Sequence, residues 1–167
     1  MDIKIVDKFL DTIDLKKVAA ATNDTEWTFQ RSNVLNKSNG IFLMKNMYDD
    51  KFFNTYLFDK VKEHLDGEYK DKDYELQTVY FNGQFPGREG EFHLDVCDVT
   101  VLLYVSPYEY GWGGFTEIMT STKRPTLIHP LQNRLVIFPG RVMHKAYSFS
   151  YQTCPPRISL AFKLNTK

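Results

Sequence analysis

The 167-residue chain has only two cysteines, Cys97 and Cys154, too few for a disulfide framework, so its stability has to come from a packed core. Its opening stretch, Met1-Asp2-Ile3-Lys4-Ile5-Val6-Asp7-Lys8, has no apolar run long enough for a signal peptide or a membrane span. A reducing, cytoplasmic setting with no membrane partner is therefore expected. Net charge is absent too: 21 basic side chains balance 21 acidic ones, which removes the electrostatic footprint of a nucleic-acid binder and disfavours a nucleic-acid partner. No internal repeat, linker or low-complexity segment divides the chain. One domain is expected, with residues 1–72 as helical support and flanking strands and residues 73–167 as the core that carries the site.

Aromatic residues are plentiful, 13 Phe and 10 Tyr, and after about residue 73 they fall into alternating stretches suited to pleated, half-buried surfaces. The first third reads differently. Ile13 to Ala21 is a short helix with Asp14 as its candidate cap. A stronger helix runs from Asp50 to Leu65, where Phe53, Tyr56, Leu57, Val61 and Leu65 recur at helical spacing and Gly67 offers the stop. Trp27 to Gln30 and Ile41 to Met44 read as strands, the latter introduced by Asn39-Gly40. Beyond residue 73 the expected strands are Tyr74 to Phe81, Val99 to Val105, Phe115 to Met119, Thr126 to His129, Arg134 to Phe138, Lys145 to Phe149 and Ile158 to Leu164. Asn82 to Gly90 reads as a loop. Many short strands at near-regular spacing predict a mainly β fold with N-terminal helices: a double-stranded β-helix, the cupin-like jelly roll, with helical support.

The chemistry centres on His93-Leu94-Asp95. In an extended chain successive side chains alternate between faces, so His93 and Asp95 project together while Leu94 points away. One imidazole and one carboxylate make two-thirds of a facial metal triad. A distant second imidazole would complete the set, which leaves coordination positions open and suits non-heme Fe(II) oxygen chemistry. Of the four histidines, His64 lies on a charged helix face and His129 precedes Pro130 at a turn, both reading as solvated or structural. His144 follows the apolar run Leu135 to Phe138 and a Pro139-Gly140 turn, and taken alone it reads as structural. A cation comes next. Alternation places Arg157, Ser159 and Ala161 on one face of the last strand, and an arginine turned into an apolar interior requires an anion, for which a dicarboxylate ligand is suited.

Together these residues resemble the Fe(II)- and 2-oxoglutarate-dependent oxygenases of the prolyl 4-hydroxylase type, particularly small phage-like members. The resemblance runs from Gln77 to Leu164. His93-x-Asp95 resembles the metal dyad. Tyr104-Val105-Ser106 followed by Trp112-Gly113-Gly114-Phe115-Thr116 resembles the family's strand and its Trp-Gly-Gly-x-Thr turn. Asn133 to Gly140 with His144 resembles the segment leading to the distal histidine, and Arg157-Ile158-Ser159 the Arg-x-Ser that holds 2-oxoglutarate.

The resemblance implies that His93, Asp95 and His144 bind Fe(II), and that Arg157 pairs with 2-oxoglutarate, helped by Tyr104 and Ser159. Either Tyr80 or Phe81 fits a further cofactor contact, with Tyr80 the candidate. It implies a hydroxylase that uses dioxygen, releases succinate and CO2, and takes ascorbate as a further candidate cofactor. If the chain is phage-encoded, the setting becomes the host cytoplasm. Related halogenases lack the carboxylate that Asp95 supplies, so hydroxylation is implied over halogenation. The alkylated-base demethylases carry a second arginine where this chain continues Leu160-Ala161-Phe162-Lys163, which points away from nucleobase repair. Many prolyl hydroxylases use lysine at the place of Arg157.

The expected substrate is a prolyl residue in a peptide or protein, with a free amino acid or other small molecule as the alternative. Phe85 to Glu91, Tyr108 to Trp112 and Tyr147 to Tyr151 are the loops expected to rim the site. A non-catalytic cupin-like protein that holds a metal or an acid is the competing class. Cys97 shares the strand parity of Asp95 and reads as a small buried hydrophobe, and nothing marks Cys154 as reactive.

Overall fold

Alternation along three central strands decides the architecture. On one side of the sheet Val99, Val101 and Leu103, Leu135 and Ile137, and Leu160, Phe162 and Leu164 pack with Val18, Phe53, Leu57, Phe58 and Val61 from the helical segments. On the other side Leu102 and Tyr104, Val136 and Phe138, and Ala161 pack with Ile118 and Ile128 of a second sheet. Both faces are therefore covered, which explains why these strands are nearly continuous hydrophobic runs.

The computed structural model describes residues 3–23, 26–31, 41–120 and 124–167, and the side chains of Arg31 and Ile41 are not among those described. The strands are β1 (Lys4–Val6), β2 (Thr28–Arg31), β3 (Ile41–Asn46), β4 (Tyr74–Gln84), β5 (Val99–Tyr104), β6 (Thr116–Met119), β7 (Pro125–Ile128), β8 (Leu135–Pro139), β9 (His144–Ala146) and β10 (Arg157–Thr166). Seven form one sheet in the order β1-β8-β5-β10-β4-β3-β2, and three form the facing sheet, β7-β6-β9. All pairings are antiparallel. This is the mainly β, jelly-roll arrangement with helical support that the strand spacing implies. Among the described residues no helix is long and apolar enough to cross a membrane.

Several local expectations are corrected. Helix α1 spans Thr12–Ala20, and its cap is Asp11, whose carboxylate accepts from the Asp14 amide at 2.9 Å. Asp14 is instead buried, where it accepts from the Tyr56 hydroxyl at 2.9 Å and lies 2.8 Å from the Lys60 ammonium. The second helical segment is shorter than its apolar pattern. Phe52–Leu57 is wound as a π-helix and α2 covers Phe58–Lys62, so the chain stops helical winding before Gly67. The wider first turns put Phe53, Leu57, Phe58 and Val61 against the sheet and leave Tyr56 half out, 44% exposed.

Strand β4 runs on through Asn82-Gly83-Gln84, the stretch that reads as a loop. Gly83 belongs there because a Cβ would lie 3.3 Å from both the Leu43 Cβ and the Trp27 ring. Strand β1, only three residues long, carries too little alternation to be seen in the sequence. The Asn39-Gly40 turn lies outside the described residues.

Candidate active site

Two strand ends bring the triad together. His93 and Asp95 do not lie in a regular strand. His93 forms an isolated bridge to His144, the first residue of β9, with each amide donating to the other's carbonyl at 3.0 Å. Asp95 is fixed by its own amide, which donates to the Gly140 carbonyl at 2.9 Å. Gly140 must be glycine at this crossing, because a Cβ would fall 2.5 Å from the Cys97 carbonyl oxygen and sulfur. Cys97 is buried and free, and its backbone and sulfur pack against Gly140. The result is one ligand atom from each of His93, Asp95 and His144, all within 4.8 Å of one another.

The hydrogen bonds set the state of these ligands. Nδ1 of His93 is 2.8 Å from the Glu91 carbonyl, and Nδ1 of His144 is 2.7 Å from the Val142 carbonyl. A carbonyl can only accept, so each Nδ1 carries a proton and each Nε2 lone pair is left for a metal. Burial, with His144 beside it, holds the His93 imidazole below its ordinary value and favours the neutral ring. Burial pushes the Asp95 carboxyl up, but His144 and Lys163 outweigh it and hold the carboxyl far below the usual carboxylate range. Two imidazoles with Nδ1 on backbone carbonyls and one carboxylate, with open positions, form a donor set that fits Fe(II).

The triad opens into a cavity of about 260 Å³ between the two sheets. The larger sheet lines it with Tyr80, Asn82 and Gln84 of β4, Leu102 of β5, and Arg157, Ser159 and Lys163 of β10. The smaller sheet adds Thr116, His144 and Ala146. Arg157 is 2% exposed at the far end, and its N–H groups meet only neutral acceptors: Nε to the Gly114 carbonyl at 2.7 Å, Nη1 to Gln84 Oε1 at 3.1 Å and Nη2 to Thr116 Oγ1 at 2.9 Å. Among the described residues no carboxylate pairs with it. Burial accordingly pushes its guanidinium below the ordinary value. A buried cation without an anion is costly, and a ligand carboxylate would relieve that cost.

Of the remaining expected residues, Tyr80 faces the cavity, while Phe81 turns to the helix side against Trp27 and Phe53. Burial raises the Tyr80 hydroxyl above its ordinary value. Ser159 lines the cavity as alternation requires. Tyr104 does not reach its surface. Its ring lies under the Arg157 guanidinium, 5.2 Å away, and its hydroxyl donates to Thr116 Oγ1 at 2.6 Å. Thr116 therefore accepts from both Tyr104 and Arg157, and its own hydroxyl proton is left to donate into the cavity.

Of the three rim loops only the first reaches the cavity, through Arg88, Glu89, Gly90 and Glu91. In the second loop Tyr108 and Tyr110 meet His129 and Trp112 meets Phe149; in the third the Tyr147 hydroxyl donates to Glu117 and Tyr151 is exposed, and none of these aromatics lines the cavity. The sequence reading also passed over Gln84, Thr100 and Lys163. The Thr100 hydroxyl and the Lys163 ammonium both donate to Oδ2 of Asp95, the former at 2.6 Å.

Comparison with solved structures gives a consistent result at low sequence identity. A Pseudomonas putida prolyl-4-hydroxylase superposes with a TM-score of 0.71 at 15% identity, over 96% of this chain and 91% of its own. The chain has the fold of the prolyl 4-hydroxylases. A prolyl hydroxylase from Trichoplax adhaerens, in complex with a hypoxia inducible factor oxygen degradation domain peptide, shares this oxygenase fold with a TM-score of 0.76 at 15% identity, over 98% and 83% of the two chains. HygX from Streptomyces hygroscopicus, with nickel, 2-oxoglutarate and hygromycin B bound, shares it too, with a TM-score of 0.71 at 10% identity over 98% and 82%. No family model matches the sequence, and no curated protein matches it significantly.

Proposed function

We propose that the protein is an Fe(II)- and 2-oxoglutarate-dependent dioxygenase that hydroxylates a C–H bond of a prolyl residue in a peptide or protein. The observation that carries this reading is the pairing, across one cavity, of a His93-Asp95-His144 donor set with a buried Arg157 that has no carboxylate partner among the described residues. The metal with 2-oxoglutarate and dioxygen would supply the oxidation, giving succinate, CO2 and a hydroxylated product.

The chain's residues do the rest. His93 and His144, held as Nδ1–H tautomers, present Nε2. Asp95 supplies the anionic ligand. Arg157, with the Thr116 hydroxyl, binds the remote carboxylate of the keto acid and so orients its reacting end toward the triad. Gly114, Gln84 and Tyr104 hold Arg157 and Thr116 in place. Ser159 and Tyr80 line the path between the two ends, and the apolar walls of Leu102 and Ala146 exclude water.

A peptide substrate is supported by the peptide bound to the Trichoplax adhaerens neighbour and by a second cavity of about 230 Å³ beside the first. Phe29, Phe42, Leu43, Gly83, Phe85 and Arg88 line this second cavity, which shares Phe42 and Arg88 with the metal cavity and gives room for an apolar residue flanking the target. The small-molecule reading draws on the neighbour with hygromycin B bound. Mass spectrometry decides between them. With Fe(II), 2-oxoglutarate and oxygen, a proline-containing peptide should gain one oxygen atom. Oxygen gained only by components of a metabolite mixture would overturn the peptide reading.

A further inference from the structure

Lys163 has no place in the chemistry above, yet it is one of the most enclosed cations in the molecule, its side chain only 10% exposed. It sits on the inward face of β10 with Arg157, Ser159 and Ala161, opposite Thr100 of β5, and it lines the metal cavity. Packing alone would favour an apolar side chain there, because a buried ammonium is costly unless paired. Its ion-pair partner is Oδ2 of Asp95, and its second contact is the Thr100 hydroxyl at 3.4 Å. Oδ2 thus carries two protein donors, Lys163 and Thr100, and lies 3.3 Å from Nε2 of His144. Oδ1 lies 3.8 Å from Nε2 of His93, and among the described residues it accepts no hydrogen bond.

We propose that Lys163 is a positioning residue of the metal site, which occupies one oxygen of Asp95, restricts that carboxylate to a single ligand oxygen and, as a fixed neighbouring cation, loosens the grip of the triad on a dication. The proposal rests on the reading of His93, Asp95 and His144 as metal ligands. Two consequences follow from electrostatics and geometry. A dication on Asp95 lies within the width of one carboxylate of the ammonium, and repulsion between charges so close outweighs the loss of one hydrogen bond. A carboxylate with one oxygen occupied cannot chelate through both, which keeps a coordination position open for other ligands.

The test is Co(II) binding to the full chain, followed by calorimetry and by visible absorption, neither of which needs turnover. Lys163→Met should bind Co(II) about tenfold or more tightly than the parent. Its absorption should change, because Oδ2 then keeps only the Thr100 donor and Asp95 is less restricted to a single ligand oxygen. Lys163→Gln, which keeps a donor and drops the charge, should tighten binding as well, and it serves if the Met variant does not fold. Lys163→Arg should stay near the parent. Unchanged or weaker affinity in folded Lys163→Met or Lys163→Gln overturns the proposal. His144→Ala, tested alongside, isolates the underlying reading: Co(II) retained there at parental affinity would show that the triad is not the metal site, whatever Lys163 does.

Discussion

Arg157 is the residue on which the cofactor reading turns, since its guanidinium is buried and meets only a carbonyl, an amide oxygen and a hydroxyl. Arg157→Ala should weaken 2-oxoglutarate binding by about 3 to 5 kcal/mol, the cost of stripping one partner from a buried ion pair. Calorimetry on metal-loaded protein checks this, and unchanged affinity removes Arg157 from its role. Asp14 offers a test of stability away from the site. Burial pushes its carboxyl up, but Lys60 and Tyr56 outweigh burial and hold it below the ordinary value. A depressed carboxyl contributes stability above its unfolded pKa, and that contribution is lost as pH falls through the folded one. Asp14→Asn should therefore cost about 1 to 2 kcal/mol at neutral pH. The gap between the two melting curves should close as pH drops below about 4. At this scale strand parity paired His93 with Asp95 and Arg157 with Ser159, whereas His144, structural when taken alone, joined them only through the family resemblance; the fold brings all five to one cavity. Lys163 was not legible in the sequence: it obeys the same parity as Arg157, but a lysine near the end of a strand reads as solvent-facing until a buried carboxylate is seen opposite it.

Among the elements, the Trp112 to Thr116 turn shows how backbone conformation places a side chain. Gly114 has φ +73° and a carbonyl bonded to Arg157 Nε, and a Cβ there would fall 2.5 Å from the Phe149 ring. Gly114→Ala should cost about 1 to 3 kcal/mol of stability through its left-handed backbone alone. It should also weaken 2-oxoglutarate binding by displacing the acceptor of Arg157. Thermal melting and calorimetry on the same sample check both, and a variant with parental melting and parental affinity contradicts this account of the turn. The strands themselves were largely readable from alternation. Where they were misread, a local signal conflicted with tertiary packing. Asn82-Gly83 carries the signature of a turn, yet Trp27 and Leu43 pack onto the bare glycine and keep the strand going, which is what carries Gln84 to Arg157. In the helical segment the apolar period of 50–65 suited an α-helix, but the π winding of Phe52–Leu57 rotated the buried face and left Tyr56 to reach Asp14.

For the whole molecule, two sheets enclose a cavity with the His93-Asp95-His144 cluster at one end and at the other the Arg157 guanidinium, which has no carboxylate partner among the described residues, while helices cover the outer face of the larger sheet. The fold class was legible because strand number, spacing and the change of periodicity near residue 73 are global properties of the sequence. The rim was not, since exposed aromatics such as Tyr110 look alike whether they border a cavity or pack on His129. Ligands that bind only the folded state raise its stability, so a divalent metal and 2-oxoglutarate, each at about a hundred times its dissociation constant, should add about 2.7 kcal/mol apiece. Chelation should remove the metal's share, as a shift in melting temperature would show. The most direct measurement is succinate formed from 2-oxoglutarate by the anaerobically purified chain after addition of Fe(II) and oxygen, with and without proline-containing peptides. The account predicts succinate from the parent, increased by a true substrate, and none above background from His144→Ala. Parent and variant alike at background, with 2-oxoglutarate still bound to the parent, would contradict it and leave a cupin-like binding protein without turnover.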